Sequence, residues 1–215
     1  MSIQDAEVRR PARVGSDTRR IGLSEFGQVG VDLYLPPYAR LAYTGKLFAF
    51  DTSAGTAKAP VVAAPTTSPE WALYNASKSH CLVVLEVACT MKSGTQGLGL
   101  AIMGAAAIGA QTAVTSDYTA AIKSCLDGSA RKPDAYVTNN PTLVGGTPSW
   151  HVYAADNGNI IAQANIGSGL VANIDGKLVA RPNGGMVAFE VFGPTGTNAL
   201  YVFSAVVAMI EADYF

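Results

Sequence analysis

The distribution of polar and apolar positions divides the chain into two parts. Residues 1–42 are polar, carry two arginine pairs and contain a Pro36-Pro37 break. Residues 43–215 consist of apolar runs rich in Val, Ala, Ile, Leu and Tyr, which Gly, Thr, Asn and Pro separate. This pattern predicts an extended N-terminal arm (1–42) followed by one strand-rich domain (43–215).

The apolar runs of the body predict strands joined by turns. The clearest strand is His80–Met91, which is rich in β-branched residues and contains no Gly or Pro. Asp175-Gly176 is a strong signal for a tight hairpin between two strands. The predicted strands are Tyr43–Asp51, Trp71–Tyr74, His80–Met91, Leu98–Gly109, Trp150–Ala155, Gly169–Ile174, Lys177–Ala180, Met186–Phe192 and Ala199–Ile210.

One segment has the pattern of a helix. In Ser116–Leu126, the serine can cap the N-terminus, apolar residues share one face, and Gly128 marks the stop. The proline-interrupted segment Asp127–Pro148 is predicted to be a polar loop. About eight strands with Gly, Pro and Thr turns indicate an all-β sandwich or barrel with at most one short helix.

Composition favours an assembled protein over a lone soluble enzyme. Charged residues make up 14% of the chain, hydrophobic residues 49%, and mean hydropathy is +0.22. A surface poor in charge is typical of one that partners cover. The net charge is −1, and residues 1–20 carry five arginines against three acidic residues, a net +2. Direct binding of nucleic acid is therefore not expected.

The sequence predicts neither a secretory signal nor a membrane span. Residues 1–20 lack the apolar core of a signal peptide. The longest apolar stretches, Leu98–Ala110 and Ala199–Ile210, are shorter than the roughly 20 residues that a spanning helix needs. We therefore expect no contact with a membrane.

Histidines and cysteines are few and do not form a known motif. His80 and His151 each begin an apolar strand without an acidic neighbour, so they are interpreted as satisfied histidines at strand ends. Cys81, Cys89 and Cys125 lack metal-site or disulfide spacing and are predicted to be buried thiols. Cys81 and Cys89 are an even number of residues apart, which predicts one face of a strand. We expect no metal and no cofactor.

Three further features of the sequence allow an interpretation that involves sugars. Glu86 and Glu190 could form the carboxylate pair of a glycosidase, although a position on the outer face of half-buried strands is the simpler interpretation. Asn75-Ala76-Ser77 matches a glycosylation sequon and is interpreted as chance. A set of aromatic residues could stack on sugars, but these side chains are more typical of a core or an interface. They are Trp71, Tyr74, Trp150, Tyr153 and Tyr201.

The chain resembles the jelly-roll-like virion structural proteins of tailed bacteriophages. The likeness covers residues 43–215 and has three parts. An opening Tyr-Thr-Gly-Lys-Leu-Phe strand follows the polar arm. A Trp-Ala-Leu-Tyr-Asn and His-Cys-Leu-Val-Val-Leu-Glu-Val unit comes next, and then a Gly/Ala-rich strand. The end is Gly-Gly-Met-Val-Ala-Phe-Glu-Val-Phe-Gly-Pro-Thr-Gly before a last apolar strand.

This resemblance implies a jelly-roll-like β-sandwich without enzymatic activity. It implies a capsid decoration or accessory protein, located in the virion, that forms a homo-oligomer, with a trimer favoured, and contacts other virion proteins. The arm would dock on a neighbouring subunit, since an extended segment gains affinity by ordering on assembly. The docking residues would be Arg9, Arg10, Arg13, Arg19, Arg20, Ile21, Leu23 and Phe26. A major capsid protein, or a carbohydrate- or receptor-binding head of a phage tail, remains an alternative.

Overall fold

A computed structural model gives the fold of the chain. It describes residues 6–9, 18–21, 38–52, 55, 57–63, 65–95, 99–116, 122–129, 133–156, 169–193 and 198–212. The elements in chain order are β1 (Ala6–Arg9), β2 (Thr18–Ile21), α1 (Ala39–Tyr43), β3 (Leu47–Asp51), β4 (Trp71–Asn75), β5 (His80–Ser93), β6 (Leu100–Ala106), β7 (Lys123–Ser124), β8 (Ala135–Asn139), β9 (His151–Asp156), β10 (Gly169–Ala180), β11 (Gly185–Phe192) and β12 (Leu200–Glu211).

The chain divides into two compact units, residues 1–39 and 40–215. In the first unit β1 and β2 pair antiparallel, from Ala6 opposite Ile21 to Arg9 opposite Thr18. The predicted extended arm therefore contains a short hairpin. The boundary predicted after residue 42 lies three residues beyond the observed division.

The second unit is an all-β sandwich of two antiparallel sheets, as the sequence predicted. The first sheet has the order β10-β5-β12-β3-β7, and the second has the order β8-β4-β11-β6-β9. Four ladders pair strands that are far apart in sequence: β3 with β12, β4 with β11, β5 with β10 and β6 with β9. The first and last strands of the body are therefore neighbours.

Aromatic and branched side chains fill the space between the sheets. Trp71 stacks on Phe203 with ring centroids 5.3 Å apart, and Phe189 contacts the same ring at 5.0 Å. Offset aromatic contacts of this kind add to the free energy gained by burial. The sequence interpretation of Trp71 and Tyr201 as core residues is correct, since both are fully buried.

The outer faces of the two sheets are covered differently. Leu143 and the half-buried Trp150 pack on Ala188 and Met186, so loop residues cover the outer face of the second sheet. On the first sheet, Leu41 and its neighbour Ala42 from α1 pack on a smaller cluster that includes Val83 and Leu85. The inner apolar layer is therefore flanked by two thinner ones.

The one helix in the described residues is α1, not the predicted Ser116–Leu126. At the end of α1 the Thr44 hydroxyl donates to the Arg40 carbonyl (2.8 Å), and Gly45 adopts a φ of 68°. This left-handed glycine ends the helix and delays the predicted strand 43–51 to Leu47. Within Ser116–Leu126, β7 instead pairs Lys123 and Ser124 with β3, and residues 117–121 lie outside the described residues.

The predicted hairpin at Asp175-Gly176 is wrong. Both residues have the positive φ of a tight turn, 50° and 80°, but the chain continues along β5 on both sides of them. The four residues from Ile174 to Lys177 stand opposite Leu85 alone, so they form an irregular bulge in β10 that is larger than the usual two residues opposite one. The long strand β5 can pair with both flanks, and this pairing buries Ala172 and Leu178 in the core.

Part of the predicted polar loop is a strand. β8 lies between Pro133 and Pro141, pairs with β4, and buries Ala135 and Val137. Asn140 follows with a φ of 45° and ends the strand. The run Tyr136-Val137-Thr138, which consists of residues enriched in strands, was the signal that the sequence interpretation missed.

Candidate functional site

A groove runs along one edge of the sandwich, where β9 and β10 end the strand orders of their sheets. We call it the edge groove and define it by lining residues within 106–110, 149–153 and 177–186. It consists of two adjoining cavities of about 600 and 570 Å³, which share Ala106 and Lys177. Cavities of this size suit a peptide segment or a small ligand.

Small residues make room for the groove. A Cβ atom at Gly104 would lie 2.8 Å from Leu178 Cδ1 and 3.1 Å from Tyr153 Cε2, so the two edge strands approach over this glycine. Beyond it, the chain from Ala106 to Ala110 presents mostly Ala and Gly to the first cavity. Apart from Ile108, this stretch of the wall therefore carries only small side chains.

The electrostatic character of the edge groove is basic. Lys177, Arg181 and His151 line it and are exposed, and no acidic residue is among its described lining residues. His151 Nε2 lies 3.3 Å from the Ser149 hydroxyl. The groove therefore favours an anionic partner.

Apolar side chains are exposed at the same edge. Val152 in β9 is 57% exposed, and Ile108 and Val144 are also exposed. Buried Gln111 fixes the latter two, because its amide nitrogen donates to the carbonyls of Ile108 (2.8 Å) and Val144 (3.1 Å). Its amide oxygen accepts from Val144 N (2.8 Å). The backbone that carries Ile108 and Val144 is therefore fixed, and exposed apolar side chains of this kind are typical of an interaction surface.

A second cluster of ionisable groups lies under the connector between β3 and β4. Glu190 is fully buried and accepts hydrogen bonds from Glu70 N (2.9 Å) and Val191 N (3.0 Å). Burial raises the pKa of Glu190 to about 8. Lys58 Nζ lies 3.0 Å from Glu70 Oε2 and donates to Asn140 Oδ1 at 3.2 Å. This cluster pins the connector onto the outer face of the second sheet.

The carboxylate pair of a glycosidase, which the sequence left as the less favoured alternative for Glu86 and Glu190, is not formed. Glu86 is exposed on β5 of the first sheet, and Glu190 is buried on β11 of the second. Val87 beside Glu86, and Phe189 and Val191 beside Glu190, belong to the core between the sheets, so the two carboxyl groups lie on opposite outer faces. The interpretation as outward-facing residues is correct for Glu86. Glu190 also lies on an outer face, but it is buried there because the connector between β3 and β4 covers it.

The remaining histidine and the cysteines also have defined surroundings. His80 Nδ1 lies 2.9 Å from the Ser79 hydroxyl at the start of β5. Cys81 and Cys89 are buried as predicted, whereas Cys125 is exposed. The even spacing of Cys81 and Cys89 is misleading, because β5 bulges between Val84 and Glu86 opposite β12 and this reverses the faces.

Asn75 of the sequon is a structural residue. Its amide nitrogen donates to the carbonyls of His80 (2.8 Å), Ala180 (2.9 Å) and Arg181 (3.1 Å), and its oxygen accepts from Ser77 N (3.0 Å). The side chain is fully buried. It therefore joins the two sheets and is inaccessible to modification in the folded chain.

The predicted docking residues of the arm are only partly described. Arg9 lies in β1, and Arg19, Arg20 and Ile21 lie in β2. The remaining four, Arg10, Arg13, Leu23 and Phe26, lie outside the described residues.

The described part of the chain holds neither a candidate metal site nor a membrane-spanning helix. It contains no group of three His, Cys, Asp or Glu side chains placed to share a metal ion. None of its helices has the length and apolarity needed to cross a bilayer. Comparison with protein-family models, curated proteins and solved structures finds no match to this chain.

Proposed function

We propose that this chain is a non-enzymatic virion structural protein. Its role is that of a capsid decoration or accessory protein that docks by its N-terminal arm and assembles as a homo-oligomer, with a trimer favoured. The partners are further copies of itself and other virion proteins.

The observation that carries this proposal is the pairing order of eight of the ten body strands, all but β7 and β8. With β3–β6 as the first four and β9–β12 as the last four, the pairs are first with eighth, second with seventh, third with sixth and fourth with fifth. A long antiparallel ribbon wrapped into two sheets has this order, which supports a jelly-roll assignment. Jelly rolls are frequent in viral capsid proteins.

Because the interior of the body is filled, we expect the body to contact other molecules through its surface. Trp71, Phe189, Tyr201 and Phe203 occupy the space between the sheets and are fully buried. The described residues that remain to meet other molecules lie at the sheet edges and outer faces. Among these, the edge groove combines charge with exposed apolar side chains.

The division into two units supports docking by the arm. The body contains its own core, whose members run from Phe48 to Val207. Residues 1–39 are a separate compact unit, and a segment that the body does not need for its core is suited to binding a partner.

Light scattering coupled to size-exclusion chromatography tests the proposal. We expect the full chain to form a trimer, and an antibody raised against it to label purified virus particles from the source. Deletion of residues 1–42 should abolish attachment to particles while circular dichroism still reports a folded β-sheet body. A monomeric chain that labels no particle contradicts the proposal, as does specific binding on a glycan array with particle attachment unaffected by the deletion.

A further inference from the structure

We propose that the edge groove is the docking site for residues 22–37 of a second copy of this chain. The inference rests on the proposed function and deepens it, because it names the surface and the segment through which two copies interact.

The charges of the groove and of this segment are complementary. The groove presents Lys177, Arg181 and His151 without an acidic residue among its described lining residues. Residues 22–37 contain Glu25 and Asp32 and no Lys or Arg, a net charge of −2. Complementary charge steers association and fixes the register of a bound segment.

The apolar pattern of the segment also fits the groove. Its apolar residues are Leu23, Phe26, Val29, Val31, Leu33, Tyr34 and Leu35. The groove offers Val152 and Ile108 as exposed apolar contacts, and a wall of Ala and Gly that larger side chains can cover. Burial of such side chains contributes roughly 25 cal/mol per Å² of apolar surface.

The open edge of the second sheet provides backbone partners. β9 ends the strand order of that sheet and pairs only with β6 among the described strands. The unpaired N–H and C=O groups of such an edge can accept an extended segment as an added strand. An occupied edge is also protected from indiscriminate aggregation.

The length of the segment permits docking on a neighbour. Sixteen residues span up to about 53 Å when extended. A body of this size has a diameter on the order of 40 Å. The segment can therefore leave one body before α1 and reach the edge groove of the next.

Charge reversal in the full chain tests the proposal, with the association constant measured by sedimentation velocity. We expect Lys177→Glu combined with Arg181→Glu to weaken self-association on the order of 10-fold or more, and Glu25→Lys combined with Asp32→Lys to do the same. The matched control is Lys78→Glu combined with Lys123→Glu, which reverses two exposed lysines outside the groove and should leave association unchanged.

Mixing the two weakened variants separates docking between copies from docking within one chain. The lysines of one variant's segment then face the glutamates of the other variant's groove, so the mixture should form mixed oligomers with a clearly higher affinity than either variant alone. A mixture that stays dissociated overturns the proposal, as does wild-type affinity in the groove variant alone. If the wild-type chain is oligomeric in that case, the proposed function stands and only this docking site fails, whereas a monomeric wild-type chain overturns both.

Discussion

At the scale of single residues, Glu190 makes stability depend on pH. Its pKa is raised from 4.5 to about 8, chiefly because burial disfavours the charged form, and the N–H donors of Glu70 and Val191 oppose this rise only in part. A raised pKa means that the stabilising contribution is complete below pH 4.5 and is lost as pH rises through 8. The free energy of unfolding therefore falls as pH rises from 4.5 to about 8.

Replacement of Glu190 by Gln should remove this loss. We expect the wild-type free energy of unfolding to fall by about 2 kcal/mol or more, relative to the Glu190→Gln variant, between pH 5 and pH 8. Urea denaturation at several pH values measures the difference. The control is Glu86→Gln, which changes an exposed carboxyl group on the other sheet. If the free energy of unfolding changes with pH in the same way for wild type and Glu190→Gln, the raised pKa of Glu190 is contradicted.

The buried hydroxyl group of Tyr201 should lower the stability of the fold by a measurable amount. Its hydroxyl is buried and has no hydrogen-bond partner within the described residues. Because an unsatisfied buried polar group costs about 1–3 kcal/mol, Tyr201→Phe should raise the free energy of unfolding by about 1 kcal/mol. Thermal and urea denaturation measure the change, with Tyr43→Phe as the exposed control. A decrease in stability would reveal a partner for the hydroxyl.

At the scale of elements, Asn75 connects strands of both sheets. Its side chain bonds the chain at the start of β5 and at the end of β10, while its backbone belongs to β4. Asn75→Ala leaves three carbonyls without this donor, so we expect a loss of about 3 kcal/mol in the free energy of unfolding. Asn173→Ala, an exposed position in β10, serves as the control and should change stability by less than about 0.5 kcal/mol. Equal losses of stability in the two variants would show that the hydrogen bonds of the Asn75 side chain do not account for the effect.

The strands themselves were largely predictable, because buried strands leave apolar runs such as 186–192 and 199–210, each with a single polar residue. The bulges were not, since Asp175-Gly176 has the same positive φ angles in a bulge as in a hairpin. Only the pairing with β5 decides between them. One irregularity at Leu85 likewise reversed the face expected for Cys81 relative to Cys89.

The edge groove lay beyond sequence reasoning for a different reason. Lys177 and Arg181 come from β10 and the turn after it, and His151 comes from β9, so no local motif contains all three. Topology brings them together. The burial of Glu190 was missed for a similar reason. Alternation along the strand indicates that Glu190 faces outward, but it does not reveal that the connector carrying Glu70 covers it.

At the scale of the whole molecule, the body of residues 40–215 should be stable without residues 1–39. The body has a complete core without residues 1–39, so their deletion should leave its free energy of unfolding, measured at high dilution, within about 1 kcal/mol of wild type. A larger loss would show that the arm stabilises its own body. Far-UV circular dichroism of both proteins, followed against urea, makes the comparison.

Self-association links the arm to thermal stability at higher concentration. If oligomers form through the arm, the folded state gains free energy by mass action, and the melting temperature rises with protein concentration. We expect this rise for the full chain over roughly a 100-fold range of concentration, and a constant melting temperature for the chain without residues 1–39. Differential scanning calorimetry measures both series. A concentration-dependent melting temperature in the shortened chain would place the contact between copies on the body itself, because only residues 40–215 are then present to form it.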